Sequence, residues 1–142
     1  MDQRSTVLAA LAVTPGQALT RVQAQKLLFL IDRQLAPMIG GEAFSFAPYH
    51  YGPYDSDVYR TMERLIAEGA LSIVPQPGAG SAFTLTDSGR ATAAPIIQAL
   101  PPSALEHMNR LGIWVRSLSF VDLVGAIYRA YPEMRARSIF RS

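Results

Sequence analysis

A short segment in the middle of the chain concentrates aromatic side chains beside a histidine. Tyr49, His50, Tyr51 and Tyr54 lie close together and are interrupted by a Gly-Pro pair. Tyrosine and histidine combine a large apolar surface with polar tips, which suits a loop that recognises a protein or a peptide. The same residues also fit a buried structural turn, in which Gly-Pro fixes the backbone and the tyrosine hydroxyl groups bond internally.

Catalysis by His50 would require an orienting carboxylate and a nucleophile, and the sequence marks neither. The chain has no Cys, which excludes a thiol nucleophile and zinc–thiolate sites. It has two His, far apart in sequence, and contains none of the motifs G-x-x-x-x-G-K-[ST], G-x-S-x-G or G-x-G-x-x-G. We therefore expect no enzymatic activity, no cofactor and no metal site.

A second candidate site is a pair of cations in the third predicted helix. Arg60 and Arg64 share one helix face, from which they could reach a nucleic-acid backbone. The same helix, counted from Asp55, has more anions than cations, and the tip of the following hairpin at residues 76–81 has no cation. The whole chain has 13 basic and 11 acidic side chains, which is weak support for phosphate binding. The alternative is that both arginines are solvated or ion-paired.

The elements that must position these residues are mainly helices. Apolar spacing and cap residues predict six of them, and two short strands at residues 71–74 and 82–85 flank a Pro/Gly-rich loop as a β-hairpin. The first predicted helix covers about residues 4–13 and is followed by a break at 14–16. The others cover about residues 21–35, 56–68, a stretch that begins at the cap in 86–89, 103–118 and 120–131.

Prolines and apolar spacing add finer predictions. Pro37 and the glycines after it are expected to end the second helix, and Pro95 is expected to kink or restart the fourth. Phe120 is one of the spaced apolar residues that mark the sixth helix. Trp114 belongs either to the core or, with Ile113, to an outward contact face.

The order of elements is helix, helix, extended segment, helix, hairpin and three helices, which is typical of an α+β, mainly α protein. Three helices followed by a hairpin predict a winged-helix-like core with a small β-hairpin wing. We expect a single domain over residues 1–142, with the core in residues 1–100 and a C-terminal helical extension in 101–142. Because no apolar run reaches the roughly 18 residues of a membrane span, we expect no membrane partner and a cytoplasmic location.

Short motifs over about residues 20–132 resemble the Panacea (SocA-like) domain and its YwgA-like relatives. They include QKLLF at 25–29, PYHYGP at 48–53 and Val58-Tyr59, with further matches at the end of the third helix, at the exit of the hairpin and at 130–133. The aromatic-rich form PYHYGPY is closer to the YwgA-like branch.

The resemblance implies a small bacterial or phage protein that works by binding another protein. In the Panacea family that partner is commonly a toxin, which the domain neutralises, and at least one relative acts as a protease adaptor. We therefore expect a non-enzymatic protein-binding module whose Tyr/His segment contacts a toxin or another effector. The alternative is a winged-helix DNA-binding transcriptional regulator that uses Arg60 and Arg64. The last two helices are apolar enough for a homodimer interface or for covering the core.

Overall fold

The computed structural model describes residues 1–14, 18–76 and 80–140, so the break predicted at 14–16 and the wing tip at 76–81 fall partly outside the described residues. Within these ranges the chain is α+β and mainly α, as predicted. In chain order its elements are α1 (Gln3–Val13), β1 (Leu19–Thr20), α2 (Arg21–Ile39), β2 (Ala47–Tyr49), β3 (Gly52–Tyr54), α3 (Ser56–Ala67), β4 (Leu71–Pro75), β5 (Ser81–Leu85), α4 (Asp87–Gln98), α5 (Pro102–Ser117), α6 (Phe120–Ala130) and a 3-10 helix (Pro132–Arg135).

The predicted wing belongs to an antiparallel sheet of three strands. β4 and β5 form the hairpin, with Leu71 opposite Leu85. β1 pairs with the other edge of β5, placing Leu19 opposite Phe83, so the strand order is β1-β5-β4. Sequence analysis missed β1, because a strand of two residues carries no readable alternation. α1, β1, α2, α3 and the β4–β5 hairpin follow one another in the order of the predicted winged-helix-like core, with the β2–β3 pair inserted between α2 and α3.

The hydrophobic core is centred on α2, in which every residue from 24 to 32 is buried. α1, α3, α5 and β3 pack around this helix, so it is covered on several sides rather than along one stripe. Phe29 and Ile31 are completely buried, and so is the carboxylate-bearing Asp32. Over residues 24–32 this enclosure buries polar side chains together with the apolar ones, among them Gln25, Lys26 and Asp32.

The start of α2 is as predicted, and its end is not. The Thr20 hydroxyl accepts the Gln23 N–H at 3.2 Å, and the Gln23 side-chain oxygen accepts the Thr20 N–H at 2.9 Å, which completes the capping box. The helix continues through Pro37 to Ile39, where the predicted end was near residue 35. Pro37 lies in the last turn and removes only one helical hydrogen bond there. The left-handed Gly40, with φ of +86°, ends the helix.

The transition from the wing to α4 depends on close backbone packing. Thr86 caps α4 by accepting the Gly89 N–H at 3.0 Å. A Cβ on Gly89 would lie 2.0 Å from the Ala70 carbonyl oxygen, so only glycine fits at this position. α4 runs without interruption from Asp87 to Gln98, and the predicted restart at Pro95 is therefore wrong.

The C-terminal helices pack on the winged-helix-like core. α5 lies against α1 and α2, and the Asn109 amide donates to the Val13 carbonyl at 3.2 Å. Met108 lies on the buried stripe of α5, whereas Ile113 and Trp114 are 58% and 38% exposed. Trp114 thus takes the outward position of its two predicted alternatives. None of the described helices combines the length and the apolar character that crossing a membrane requires.

Candidate functional site

The Tyr/His segment folds as a second β-hairpin, which we call the aromatic hairpin (residues 47–54). β2 and β3 pair antiparallel, with Tyr49 opposite Gly52, so His50 and Tyr51 form the turn. The turn predicted at Gly52-Pro53 is therefore wrong. Gly52 has a φ of +102°, a conformation that L side chains rarely adopt, and it allows the chain to enter β3 directly after the turn.

The aromatic rings of this hairpin stack on each other at its surface. The rings of Tyr49 and His50 are parallel, with centroids 4.2 Å apart, and Tyr54 lies 4.9 Å from Tyr49. Tyr49 and Tyr51 are 43% and 42% exposed, His50 is exposed and Tyr54 is half-buried. The backbone at Gly52 is buried. The backbone of the segment is therefore packed while its rings lie at the surface, and recognition of a partner by these rings stays a prediction.

The exposed aromatic surface extends from the hairpin onto the start of α6. The ring of Tyr51 contacts that of Phe120 edge to face, with centroids 5.2 Å apart. Phe120 is 41% exposed, although it is one of the spaced apolar residues of that helix. Its neighbour Val121 and the tail residue Ile139 are more exposed still. We call this surface the aromatic face, and it comprises Tyr49, His50, Tyr51, Phe120, Val121 and Ile139.

The C-terminal tail holds the turn of the aromatic hairpin in place. The His50 carbonyl accepts the Ile139 N–H at 3.0 Å and the Ser138 hydroxyl at 3.2 Å. The hydroxyl of buried Tyr128 in turn donates to Ser138 Oγ at 2.6 Å. These bonds link α6, the tail and the hairpin, so the aromatic face is built on supported backbone rather than on a free loop.

A small cavity of about 170 Å³ opens beneath the aromatic hairpin. Its walls are mainly aromatic side chains of the hairpin and α3, and its lining from α2 includes Lys26. The backbone at Gly52 lies close to Lys26 and Tyr128. A Cβ there would be in van der Waals contact with Lys26 Cε at 3.6 Å and with the Tyr128 ring at 3.5 Å. The lining residues are Val22, Gln25, Lys26, Tyr49, His50, Tyr51, Gly52, Tyr54 and Tyr59.

Lys26 is the functional candidate that sequence reasoning missed. Its side chain is only 4% exposed, and burial lowers the pKa of its amine to about 8. The amine donates to the Pro53 carbonyl at 3.4 Å and takes part in none of the ion pairs between described residues. The available signal was the single lysine of the chain followed directly by the apolar run Leu27-Leu28-Phe29.

Gln25, beside Lys26, fixes the end of the hairpin to α2. Its side-chain amide donates to the Asp55 carbonyl at 3.0 Å and accepts the Asp55 N–H at the same distance. Asp55 also caps α3 by accepting the Asp57 N–H. One buried glutamine thus sets the position of the hairpin and of the first turn of α3 relative to Lys26.

The two arginines of the alternative hypothesis lie on the exposed surface of α3. Arg60 forms an ion pair with Asp57, one helical turn before it. Arg64 lines a small cleft together with Arg4 and Glu68, which bond to each other at 2.9 Å. Carboxylates therefore accompany the cations of this helix, and the local charge is largely balanced.

A groove of about 290 Å³ separates α3 from the wing. Tyr59, Ile73 and Phe83 are among its lining residues, and Ile73 is 52% exposed. The guanidinium of Arg21 lies 5.0 Å from the Tyr59 ring centroid and 5.3 Å from that of Phe83. In DNA-binding winged helices this region meets the duplex, whereas here it offers mainly apolar contacts.

Among the described residues, no group of three or more His, Asp or Glu side chains is arranged to hold a metal ion. His107, the second histidine, bonds to the Gln34 side-chain oxygen at 2.7 Å on the surface between α5 and α2. No protein-family model matches this chain, and no curated protein matches it significantly. The resemblance to the Panacea and YwgA-like proteins stays a prediction.

Proposed function

We propose that this protein is a non-enzymatic protein-binding module that engages its partner through the aromatic face. In keeping with the sequence resemblance, the partner is a toxin or another effector, which the module neutralises or delivers. The proposed setting is the cytoplasm. The observation that carries the proposal is two pairs of contacting exposed rings, Tyr49 with His50 and Tyr51 with Phe120, which meet in sequence at the turn of the aromatic hairpin.

The chemistry of this surface is that of a protein interface. Tyrosine is enriched among the residues that dominate binding energies, because it brings large contact area at a small loss of rotamer freedom. Hydrogen bonds from the tail hold the turn that presents Tyr51, which lowers the entropy lost on binding. Exposed apolar rings that adjoin one another are unfavourable in water and become favourable when a partner covers them.

The test is affinity capture from the native host, with and without nuclease, using the wild-type protein and two single variants. Tyr51→Ala removes a ring from the aromatic face. Trp114→Ala is the matched control, because it removes a similarly exposed aromatic ring from α5. We expect one stoichiometric protein partner that survives nuclease, is retained by Trp114→Ala, and binds Tyr51→Ala at least about tenfold more weakly. Equal capture by Tyr51→Ala and the wild type would remove the aromatic face from the interface.

A second candidate function is DNA binding by the winged-helix-like core. The observation that favours it is the exposed position of Arg60 and Arg64 on α3, the helix that enters the major groove in DNA-binding winged helices. A specific duplex contact predicts affinity that falls steeply with salt, and a double Arg60→Ala, Arg64→Ala variant that loses both affinity and salt dependence. No duplex binding at low salt would reject this alternative.

A further inference from the structure

The amine of Lys26 is buried without a matching negative charge. An ammonium group carries three hydrogen-bond donors. In this structure the Pro53 carbonyl is its hydrogen-bond acceptor, at 3.4 Å, near the outer limit for such a bond. Burying an ionised amine is costly unless it is paired, and proteins meet that cost where the charge has a use.

The position of Lys26 also differs from that of a lysine that stabilises a helix end or a surface ion pair. It lies in the middle of α2 and lines the cavity beneath the aromatic hairpin. The walls of that cavity are the rings of Tyr49, His50 and Tyr54 from the hairpin and Tyr59 from α3. A charge–charge contact gains strength where apolar surroundings lower the local dielectric constant.

The cavity has the size of a single side chain. Its volume of about 170 Å³ is smaller than the roughly 300–1,000 Å³ of typical small-molecule sites. Tyr49, His50 and Tyr51 belong both to its lining and to the aromatic face, so the cavity adjoins the surface that the partner is proposed to cover.

We propose that the cavity beneath the aromatic hairpin receives an aspartate or glutamate side chain of the partner protein, whose carboxylate pairs with the Lys26 ammonium. This inference rests on the proposed function and names the chemistry that its partner must present. Charge complementarity selects an acidic side chain. A free chain terminus is the weaker alternative, because terminal carboxylates are typically bound by clustered backbone N–H groups, whereas the cation here is a side chain.

The experiment uses the fact that Lys26 is the only lysine in the chain. Protein made with ¹³C-labelled lysine gives one ε-carbon signal, which reports on this cavity alone. The probes are three short alanine peptides. The first two have both ends capped and carry a central Glu or a central Gln, and the third has no acidic side chain and a free C-terminal carboxylate.

We expect the Glu peptide to shift the Lys26 signal and to raise the pKa of that amine, since a nearby carboxylate favours the ammonium form. The Gln peptide should bind at least about tenfold more weakly, as expected for the loss of a charge-assisted hydrogen bond. In Lys26→Met, which keeps the length of the side chain without the charge, the two capped peptides should bind equally, as measured by calorimetry. If this variant fails to fold, the response of the Lys26 ε-carbon signal to the Glu and Gln peptides in wild-type protein still decides the question.

Equal responses to Glu and Gln, or no response of the Lys26 signal, would overturn the proposal. A preference for the free C-terminal carboxylate would overturn the assignment to a side chain. The result is separable from that of the proposed function. A silent Lys26 together with Tyr51-dependent capture rejects the pocket alone, whereas a Glu-selective Lys26 together with Tyr51-independent capture rejects the aromatic face alone.

Discussion

Asp32 and Lys26 are both buried in α2, but they differ in how their hydrogen-bonding capacity is satisfied. Asp32 is completely buried, and its two carboxylate oxygens accept the N–H groups of Ala43 and Phe44 at 3.0 and 2.8 Å. Lys26, six positions earlier in α2, is 4% exposed, and its hydrogen bond is the long one to the Pro53 carbonyl. Asp32 therefore fixes the loop that follows α2. The Lys26 amine, in contrast, makes one long hydrogen bond and lies beside an open cavity.

The comparison shows that burial alone does not mark a functional charge. A buried carboxylate bonded to obligatory backbone donors has a complete structural explanation. A buried amine with one distant acceptor lacks such an explanation. The open cavity beside it leaves room for a further acceptor or a negative charge.

Asp32→Ala should give the largest loss of stability. The substitution leaves the N–H groups of Ala43 and Phe44 without their acceptor, and each unsatisfied buried donor costs about 1–3 kcal/mol. We therefore expect the free energy of unfolding, measured by urea denaturation, to fall by about 4 kcal/mol. Glu106→Ala, an exposed change on α5, is the control and should stay within about 0.5 kcal/mol of the wild type. A small loss in Asp32→Ala would show that the loop does not depend on this carboxylate.

Lys26→Met should increase stability at neutral pH and remove an alkaline pH dependence. Burial lowers the pKa of Lys26 from 10.5 to about 8, a shift equivalent to about 3 kcal/mol. Between these two values the unfolded chain holds more protons than the folded protein, so wild-type stability rises with pH. The methionine variant lacks this contribution, because it has no amine to desolvate.

The measurement is urea denaturation of both proteins between neutral pH and pH about 11, above both pKa values of Lys26. Tyrosine ionisation contributes to both curves, so the quantity of interest is the difference between them. We expect that difference to favour the variant most at neutral pH and to shrink as the pH rises. A difference that stays constant with pH would show that the Lys26 amine is not desolvated in the folded protein.

Asp32→Asn should change stability in the opposite pH range. Burial raises the pKa of Asp32, and the hydrogen bonds from Ala43 and Phe44 partly oppose that rise. Above the ordinary value of 3.8 the folded protein keeps a proton that the unfolded chain has lost, so this group makes wild-type stability fall as the pH rises. We expect the asparagine variant to lack that fall in acid denaturation curves, with Glu106→Gln behaving as the wild type. Parallel curves for Asp32→Asn and the wild type would contradict the raised pKa.

Tyr51→Ala should have the smallest effect on stability. Its ring is 42% exposed and contacts Phe120 at the surface, so we expect a loss below about 1 kcal/mol in urea denaturation. Its large effect is expected on partner capture instead. A loss of stability comparable to that of Asp32→Ala would show that Tyr51 supports the fold. A weaker capture by Tyr51→Ala would then report unfolding and not the loss of a contact with the partner.

Local signals in the sequence predicted most of the helices. The capping box of Thr20 and Gln23 and the cap at Ser119 involve residues three positions apart, and both are formed in the structure. The apolar stripe of α3 likewise depends on spacing within one element, and Val58, Met62 and Leu65 are all buried. Signals of this kind can be read because cause and effect lie within one or two helical turns.

Predictions that depended on neighbours distant in sequence failed more often. Phe120 belongs to the apolar set of α6 by spacing, yet it lies at the start of that helix, where it contacts the exposed Tyr51 and the buried Phe140. β1 exists because β5 offers a free edge to Leu19 and Thr20. The turn of the aromatic hairpin was assigned to Gly-Pro, the strongest local turn signal, whereas strand pairing places it at His50-Tyr51.

Apolar spacing and turn residues were enough to predict the mainly helical α+β class, the winged-helix order of elements and an aromatic segment. The position of that segment as a hairpin over Lys26 depends on packing, because the Pro53 carbonyl that the Lys26 amine contacts is 27 positions away in sequence. The helical periodicity of α2 places Lys26 on a helix but does not say which of its faces will be covered. Burial is decided by packing between distant segments, and the desolvation that lowers the pKa of Lys26 therefore appears only when the chain has folded.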